Sequence, residues 1–271
     1  MRASSLSRLA LTALCSALLA GCAQSPTGRN QMLLFSPQQM NQLGADSFTQ
    51  MKQQEKVSTD ARMNAYVGCV AKAVTAQVPA SYGITSWEVV VFDSKEINAF
   101  ALPGGKIGVY SGLLKVAKNQ DQLATVIGHE LTHVLAQHSN ERLSRDQLTG
   151  IGLAVADAAI GSSDSLGGAA TMAALGLGVQ VGIALPYGRT QESEADRLGL
   201  ELMARAGFNP AEAVTLWQNM SAASGGKAPP QLLSTHPSDE NRIAELQAQQ
   251  AEVQPLYQQA KASGLVPQCK A

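Results

Sequence analysis

The chain has 271 residues, 45% of them hydrophobic and 15% charged, with 20 Lys plus Arg against 21 Asp plus Glu. It is apolar enough to bury a core and too apolar for a disordered chain, and its length reads as one globular domain. A net charge of −1 without any basic run excludes nucleic acid as the main partner, because phosphate binding needs clustered Lys and Arg.

Arg2 and Arg8 precede an apolar stretch over residues 9–20, the layout of a secretory signal. The stretch is too short for a membrane span, which takes about 20 apolar residues. It ends in Leu19-Ala20-Gly21-Cys22, which resembles the bacterial lipobox. That resemblance implies that residues 1–21 are a signal peptide and that Cys22 is lipidated and becomes the new N-terminus. Ala23 and Gln24 follow it, without the Asp that retains bacterial lipoproteins in the inner membrane. The expected location is therefore the periplasmic side of the outer membrane, with the lipid at Cys22 as anchor. Losing Arg2 and Arg8 leaves 18 basic against 21 acidic residues, so the mature chain stays mildly acidic.

Residues 22–35 hold Pro, Gly and polar side chains and are expected to be a lipidated N-terminus and tether, with the folded domain over 36–271. Ser36-Pro37 opens a Gln-rich amphipathic helix to about residue 56. A second helix is predicted over 60–78, where Met63, Val67, Val70 and Val74 recur at helical spacing. Residues 87–92 are β-rich, and Ala99-Phe100-Ala101-Leu102 and Ile107-Gly108-Val109-Tyr110 flank Pro103-Gly104-Gly105, predicting a small sheet with a hairpin. From Ser111 the chain reads as helical, with Asn119 or Asp121 capping a long segment that reaches about residue 145. Residues 148–185 are rich in Gly and Ala. Their apolar run is too short for a membrane span, which leaves a closely packed helix pair, a mobile cover over the active site, or a contact with lipid or a partner. Helical patterns resume over 190–206, 211–223 and 238–262, so the class is α+β and predominantly helical.

Of four Cys, Cys15 lies in the signal and Cys22 is the lipidation site. Cys69 and Cys269 are left to pair in an oxidising compartment, or to stand as two buried thiols.

The strongest chemical signal is His129-Glu130-Leu131-Thr132-His133, an H-E-x-x-H pattern inside a helical run. Positions i and i+4 share a face, so both imidazoles reach one ion while Glu130 projects toward a metal-bound water. Catalytic zinc needs a third protein ligand. Ala136 and Ser139 stand where the metzincin pattern requires Gly and His, which excludes that form, and leaves His138 as a helix-surface residue. The other source is the helix opened by Glu192-Ser193-Glu194-Ala195-Asp196. There Glu192 is placed to bind zinc and Asp196 to hydrogen-bond a ligating His, while Glu194 points away from that face.

Together these motifs resemble the gluzincin-type zinc metallopeptidases that include HtpX and the CAAX prenyl proteases, in their soluble periplasmic lipoprotein branch. The resemblance covers most of residues 60–245. It rests on Asn98-Ala99-Phe100-Ala101-Leu102-Pro103-Gly104-Gly105, on the H-E-x-x-H run, on Leu185-Pro186-Tyr187-Gly188-Arg189 leading into Glu192, and on Ser234-Thr235-His236-Pro237-Ser238. It implies a zincin-like fold with a small sheet beside the H-E-x-x-H helix. It also implies one Zn2+ per chain on His129, His133 and Glu192, and Glu130 as catalytic base. His236 would lie near the metal, either stabilising the oxyanion or acting as a reversible fourth ligand, and Arg242 would brace the site through acidic partners.

The expected activity is zinc-dependent endoproteolysis of unfolded or misassembled envelope proteins. An edge strand, within 98–102 or 106–110, would align the substrate backbone. The alternative is a zinc-stabilised outer-membrane assembly or chaperone-like factor with latent proteolysis and assembly partners at that membrane.

Overall fold

The computed structural model describes residues 22–160, 187–224, 231–236 and 241–270. Two short strands, β1 (Cys22–Gln24) and β2 (Asn30–Met32), form an antiparallel hairpin. Helix α1 (Pro37–Gln54) starts at a capping box in which the Ser36 hydroxyl accepts from the Gln39 N–H and the Gln39 side chain accepts from the Ser36 N–H. Helix α2 (Ala61–Thr75) is capped by Asp60 and buries Val67, Val70 and Val74, the face predicted from their spacing.

A three-stranded sheet follows, with β3 (Glu88–Phe92), β4 (Ala99–Leu102) and β5 (Lys106–Tyr110) in the order β3-β5-β4. β4 and β5 form the expected hairpin, turning through Gly104 and Gly105 at φ of 80° and 74°, where a side chain would be strained. β3 pairs with β5 in parallel, so β5 is the central strand. Residues 106–110 are therefore not an edge; of the two segments expected to provide one, only β4 does.

Side chains alternate between two cores, as the pleat requires. Val91, Ala99, Ala101, Ile107 and Val109 face α2 and the helices beyond it, whereas Phe92, Phe100, Leu102 and Tyr110 meet Phe48 and Met51 of α1.

Helix α3 (Gln120–Leu135) begins at Asn119, whose side chain accepts from the Gln122 N–H. The single long helix expected to run on to about residue 145 is instead two. Ala136 closes α3, Gln137 takes a left-handed φ of 54°, and α4 (His138–Ile160) starts afresh. The chain continues through α5 (Arg189–Arg205), α6 (Glu212–Ser224), the short α7 (Gln231–Thr235) and α8 (Arg242–Ala262). The turn of helix at α7 was not predicted. Most of the Gly/Ala-rich segment 148–185, namely residues 161–185, lies outside the described residues. No helix among the described residues is long and apolar enough to cross a membrane.

Two further contacts tie the chain ends down. Cys69 on α2 and Cys269 in the C-terminal tail are paired, with Cα atoms 5.7 Å apart across 200 residues of sequence. Residues 22–35, expected to be a tether, pack onto the domain. Arg29 forms a two-pronged ion pair with Glu141 at 2.7 and 2.8 Å and reaches Glu194 at 3.2 Å, while Gln31 donates to the Ala136 carbonyl. These polar anchors hold a segment whose composition alone reads as loop.

Candidate metal centre

α3 and α5 cross at Gly128 and Gly199, and the crossing sets the acidic face of α5 against the two His of α3. His129, Glu130, His133, Glu192 and His236 are all buried. Four of them converge: one nitrogen each from His129, His133 and His236 and one oxygen from Glu192 lie within 4.8 Å of one another. The His129 and His133 Nε2 atoms are 3.1 Å apart. His236 Nδ1 is 3.1 Å from His129 Nε2 and 3.0 Å from Glu192 Oε1. Glu192 oxygens stand 3.4 and 3.5 Å from the Nε2 atoms of His129 and His133. Ligands of tetrahedral zinc at about 2.0–2.1 Å are separated by about 3.3 Å, so this donor set fits the ion in size as well as in kind.

Glu130, next to His129, turns its carboxylate toward His236. Its Oε1 is 3.3 Å from His236 Nε2 without hydrogen-bond alignment, and is a buried oxygen with no hydrogen-bond partner among the described residues. Burial pushes the Glu130 carboxyl above its ordinary range. An unpartnered buried carboxylate oxygen marks a place for a ligand or a reacting group.

The electrostatics favour a charged acidic frame. Burial opposes ionisation of Glu192, but His236 and His129 beside it hold its carboxyl far below the usual range. Asp196 is likewise depressed, against burial, by Arg242 and His129. Burial alone would lower the His129 imidazole, and Glu192 and Asp196 raise it to about 9. His129 Nδ1 donates to Asp196 Oδ1 at 2.9 Å, which leaves Nε2 directed at the cluster.

Arg242, at the start of α8, spans the two acids. It donates to Glu192 Oε2 at 3.1 Å and to Asp196 Oδ1 at 2.7 Å, and its guanidinium lies 3.5 Å above the Trp217 ring. The structure therefore brings together His129, Glu130, His133, Glu192, Asp196, His236 and Arg242, which occupy three helices and the end of a fourth.

His138, expected on a helix surface, is instead fully buried. On an unbroken helix a residue five past His133 would lie about 140° round the axis. The break at Gln137 turns the chain so that His138 Nδ1 comes 2.8 Å from His133 Nδ1, and its Nε2 meets Glu194 at 3.1 Å. Glu194 does point away from the metal cluster, and toward these partners. Tyr187, for which the sequence predicts no role, stacks on His133 with ring centroids 3.9 Å apart. Sequence reasoning missed these roles because Ala136-Gln137 carries neither Gly nor Pro to signal the break.

Residues 59–250 match Peptidase family M48. The chain is 37% identical to the mitochondrial metalloendopeptidase OMA1 of Schizosaccharomyces pombe over 184 residues, which are 67% of this chain and 51% of that one. It is 32% identical to the mitochondrial metalloendopeptidase OMA1 of Bos taurus over 237 residues, 81% of this chain and 44% of that one. With the beta-barrel assembly-enhancing protease of Escherichia coli K12 it shares 29% over 181 residues, 65% and 37% of the two chains. The matches thus span about half or less of these relatives' lengths. The family is zinc-dependent, in keeping with the buried His-His-Glu-His group. With most of its length matched and this donor set assembled at its centre, the chain belongs to Peptidase family M48.

Proposed function

We propose that this protein is a zinc-dependent endopeptidase of the bacterial periplasm that hydrolyses unfolded or misassembled envelope proteins. The observation that carries the catalytic part is the convergence of His129, His133 and Glu192 beside the unpartnered Glu130 carboxylate. His129, His133 and Glu192 would hold the ion, with Asp196 orienting His129. When bound, zinc polarises the scissile carbonyl and makes water easier to deprotonate. Glu130 takes the proton of the attacking water and delivers it to the leaving amine, a role suited to a carboxyl that burial makes more basic than usual. His236 Nε2, on the same side as Glu130, donates to the developing oxyanion.

β4 supplies the substrate edge. It is an edge strand packed against α3, so an extended peptide added to it runs past the site, held by main-chain bonds that demand no particular sequence. Such substrates are unfolded segments or exposed loops. The envelope setting is supported by the signal-like residues 1–21 and by Cys22 as lipid anchor to the outer membrane, with 36–271 as the peptidase domain. The likeness to a beta-barrel assembly-enhancing protease supports the same setting.

A second reading is a zinc-stabilised outer-membrane assembly factor whose proteolysis is latent. The observation favouring it is that His236 sits inside the donor group, where as a fourth ligand it would close the position that water needs. One experiment separates the two. Zinc per chain and cleavage of an unfolded test protein are measured for wild type, Glu130→Gln and His236→Ala. About one zinc with Glu130-dependent cleavage supports the peptidase, and faster cleavage by His236→Ala supports self-inhibition. Zinc without cleavage in any variant supports the assembly factor.

A further inference from the structure

The two His of α3 are held from behind by different partners. His129 has Asp196, whereas His133 has another imidazole, that of His138, 2.8 Å away Nδ1 to Nδ1. Nitrogens at that distance share one proton, because two N–H groups would collide and two lone pairs would repel. With His133 Nε2 directed at the cluster, the proton lies on its Nδ1 and His138 accepts it. His138 then carries its own proton on Nε2, 3.1 Å from Glu194 Oε2, which accepts as a carboxylate. The hydrogen bonds therefore run in one direction, from His133 to His138 to Glu194.

His138 and Glu194 are both buried, so each needs the partner that the relay gives it. Glu194 accepts from the Thr27 hydroxyl at 2.6 Å, from the Thr27 N–H at 3.3 Å and from Arg29 Nε at 3.2 Å. Thr27 and Arg29 lie in the hairpin directly after Cys22, between β1 and β2.

We propose that His138 and Glu194 are positioning residues that fix the tautomer and ring orientation of His133, and that Thr27 and Arg29 complete this relay, so the N-terminal hairpin is part of the support of the metal centre. The inference rests on the reading of His133 as a zinc ligand. It also gives the docked hairpin a purpose that a tether lacks.

The test uses the full chain purified in detergent. Zinc affinity is measured by competition with a chromophoric chelator for wild type, His133→Ala, His138→Leu, His138→Asn, Glu194→Gln and Arg29→Gln. The same proteins are examined by their cobalt-substituted visible spectra and by proton–nitrogen correlation spectra of the His rings. Loss of a partner behind a ligand typically weakens metal binding by about 10–100-fold, and that is expected for His138→Leu and Glu194→Gln. Arg29→Gln is expected to fall between these and wild type. His138→Asn places an acceptor near the former Nδ1 and restores most of the affinity. His133 is expected as the Nδ1–H tautomer in wild type and as a mixture in His138→Leu.

Wild-type affinity, spectrum and tautomer in both His138→Leu and Glu194→Gln would overturn the relay. So would a loss that His138→Asn fails to restore while thermal stability drops equally in every variant. If His133→Ala keeps wild-type zinc affinity, the ligand reading itself falls. If His133→Ala loses zinc and His138→Leu does not, only the relay falls.

Discussion

Gly128 of α3 and Gly199 of α5 meet backbone to backbone: a Cβ on Gly128 would stand 2.7 Å from the Gly199 carbonyl oxygen, and one on Gly199 would stand 2.8 Å from the His129 nitrogen. This crossing lies one residue before His129, so the spacing of the two helices also sets the distance from His129 to Glu192. Gly128→Ala or Gly199→Ala meets backbone that cannot rotate away. Each is expected to lose about 1–3 kcal/mol in urea unfolding, as overpacked sites do. Each should also retain less zinc after dialysis, and unchanged zinc retention in both would show that the spacing is not critical.

Glu130→Gln keeps shape and burial and removes the base. Zinc content should remain at the wild-type level while cleavage of an unfolded protein falls by about 100-fold or more. Full turnover by this variant would remove Glu130 from the mechanism.

Arg242 is buried and paired with both Glu192 and Asp196. Arg242→Met leaves two acids without their cation and is expected to destabilise the fold by about 3–5 kcal/mol in chemical denaturation. Arg242→Lys should recover part of this, since an ammonium restores charge but not the fork that spans both carboxylates. A neutral effect of Arg242→Met would mean that His129 and His236 alone balance the acids.

Acid should unfold the protein through the hairpin side of the site. Glu194 and Glu141 both titrate below the ordinary 4.5 in the fold, Glu194 through His138, Ser25 and Thr27, and Glu141 through Arg29 and Gln191, in each case against burial. A depressed carboxyl contributes stability that is fully present above its unfolded pKa and is lost as pH falls through the folded one. Stability should therefore decline from about pH 4.5 downward. Glu194→Gln should flatten that slope while lowering stability at neutral pH; an identical slope would sink the linkage.

The Cys69–Cys269 pair pins the tail against α3, where the Cys269 N–H donates to Gln120 and Gln120 donates to the Pro267 carbonyl. Cys269→Ser is expected to lower stability by about 2–5 kcal/mol under oxidising conditions. Reductant should lower wild type to the level of the variant and leave the variant unchanged. Equal stability of both proteins without reductant would show that the bond is not formed.

Much of the centre was legible because its chemistry is local. His129 and His133 lie one turn apart on one helix, and Glu192 and Asp196 repeat that spacing on another, so periodicity alone puts each pair on one face. The capped starts of α1, α2 and α3 and the Gly104-Gly105 turn are equally local, since each depends on a few adjacent residues. The positions of His236 and Arg242 came from resemblance, because a loop His and a helix Arg carry no periodic signal.

Other features depended on residues far apart in the chain. The parallel pairing of β3 with β5 took one expected edge away from the substrate. The left-handed turn at Gln137 carried His138 inside, and Thr27 and Arg29 docked the N-terminal hairpin about 165 residues away from Glu194 in sequence. Short-range propensity determines where a helix starts and which face is apolar. Which buried polar groups end up as partners is decided by burial itself, because an unsatisfied group in the interior is costly enough to bend the chain toward whatever completes it.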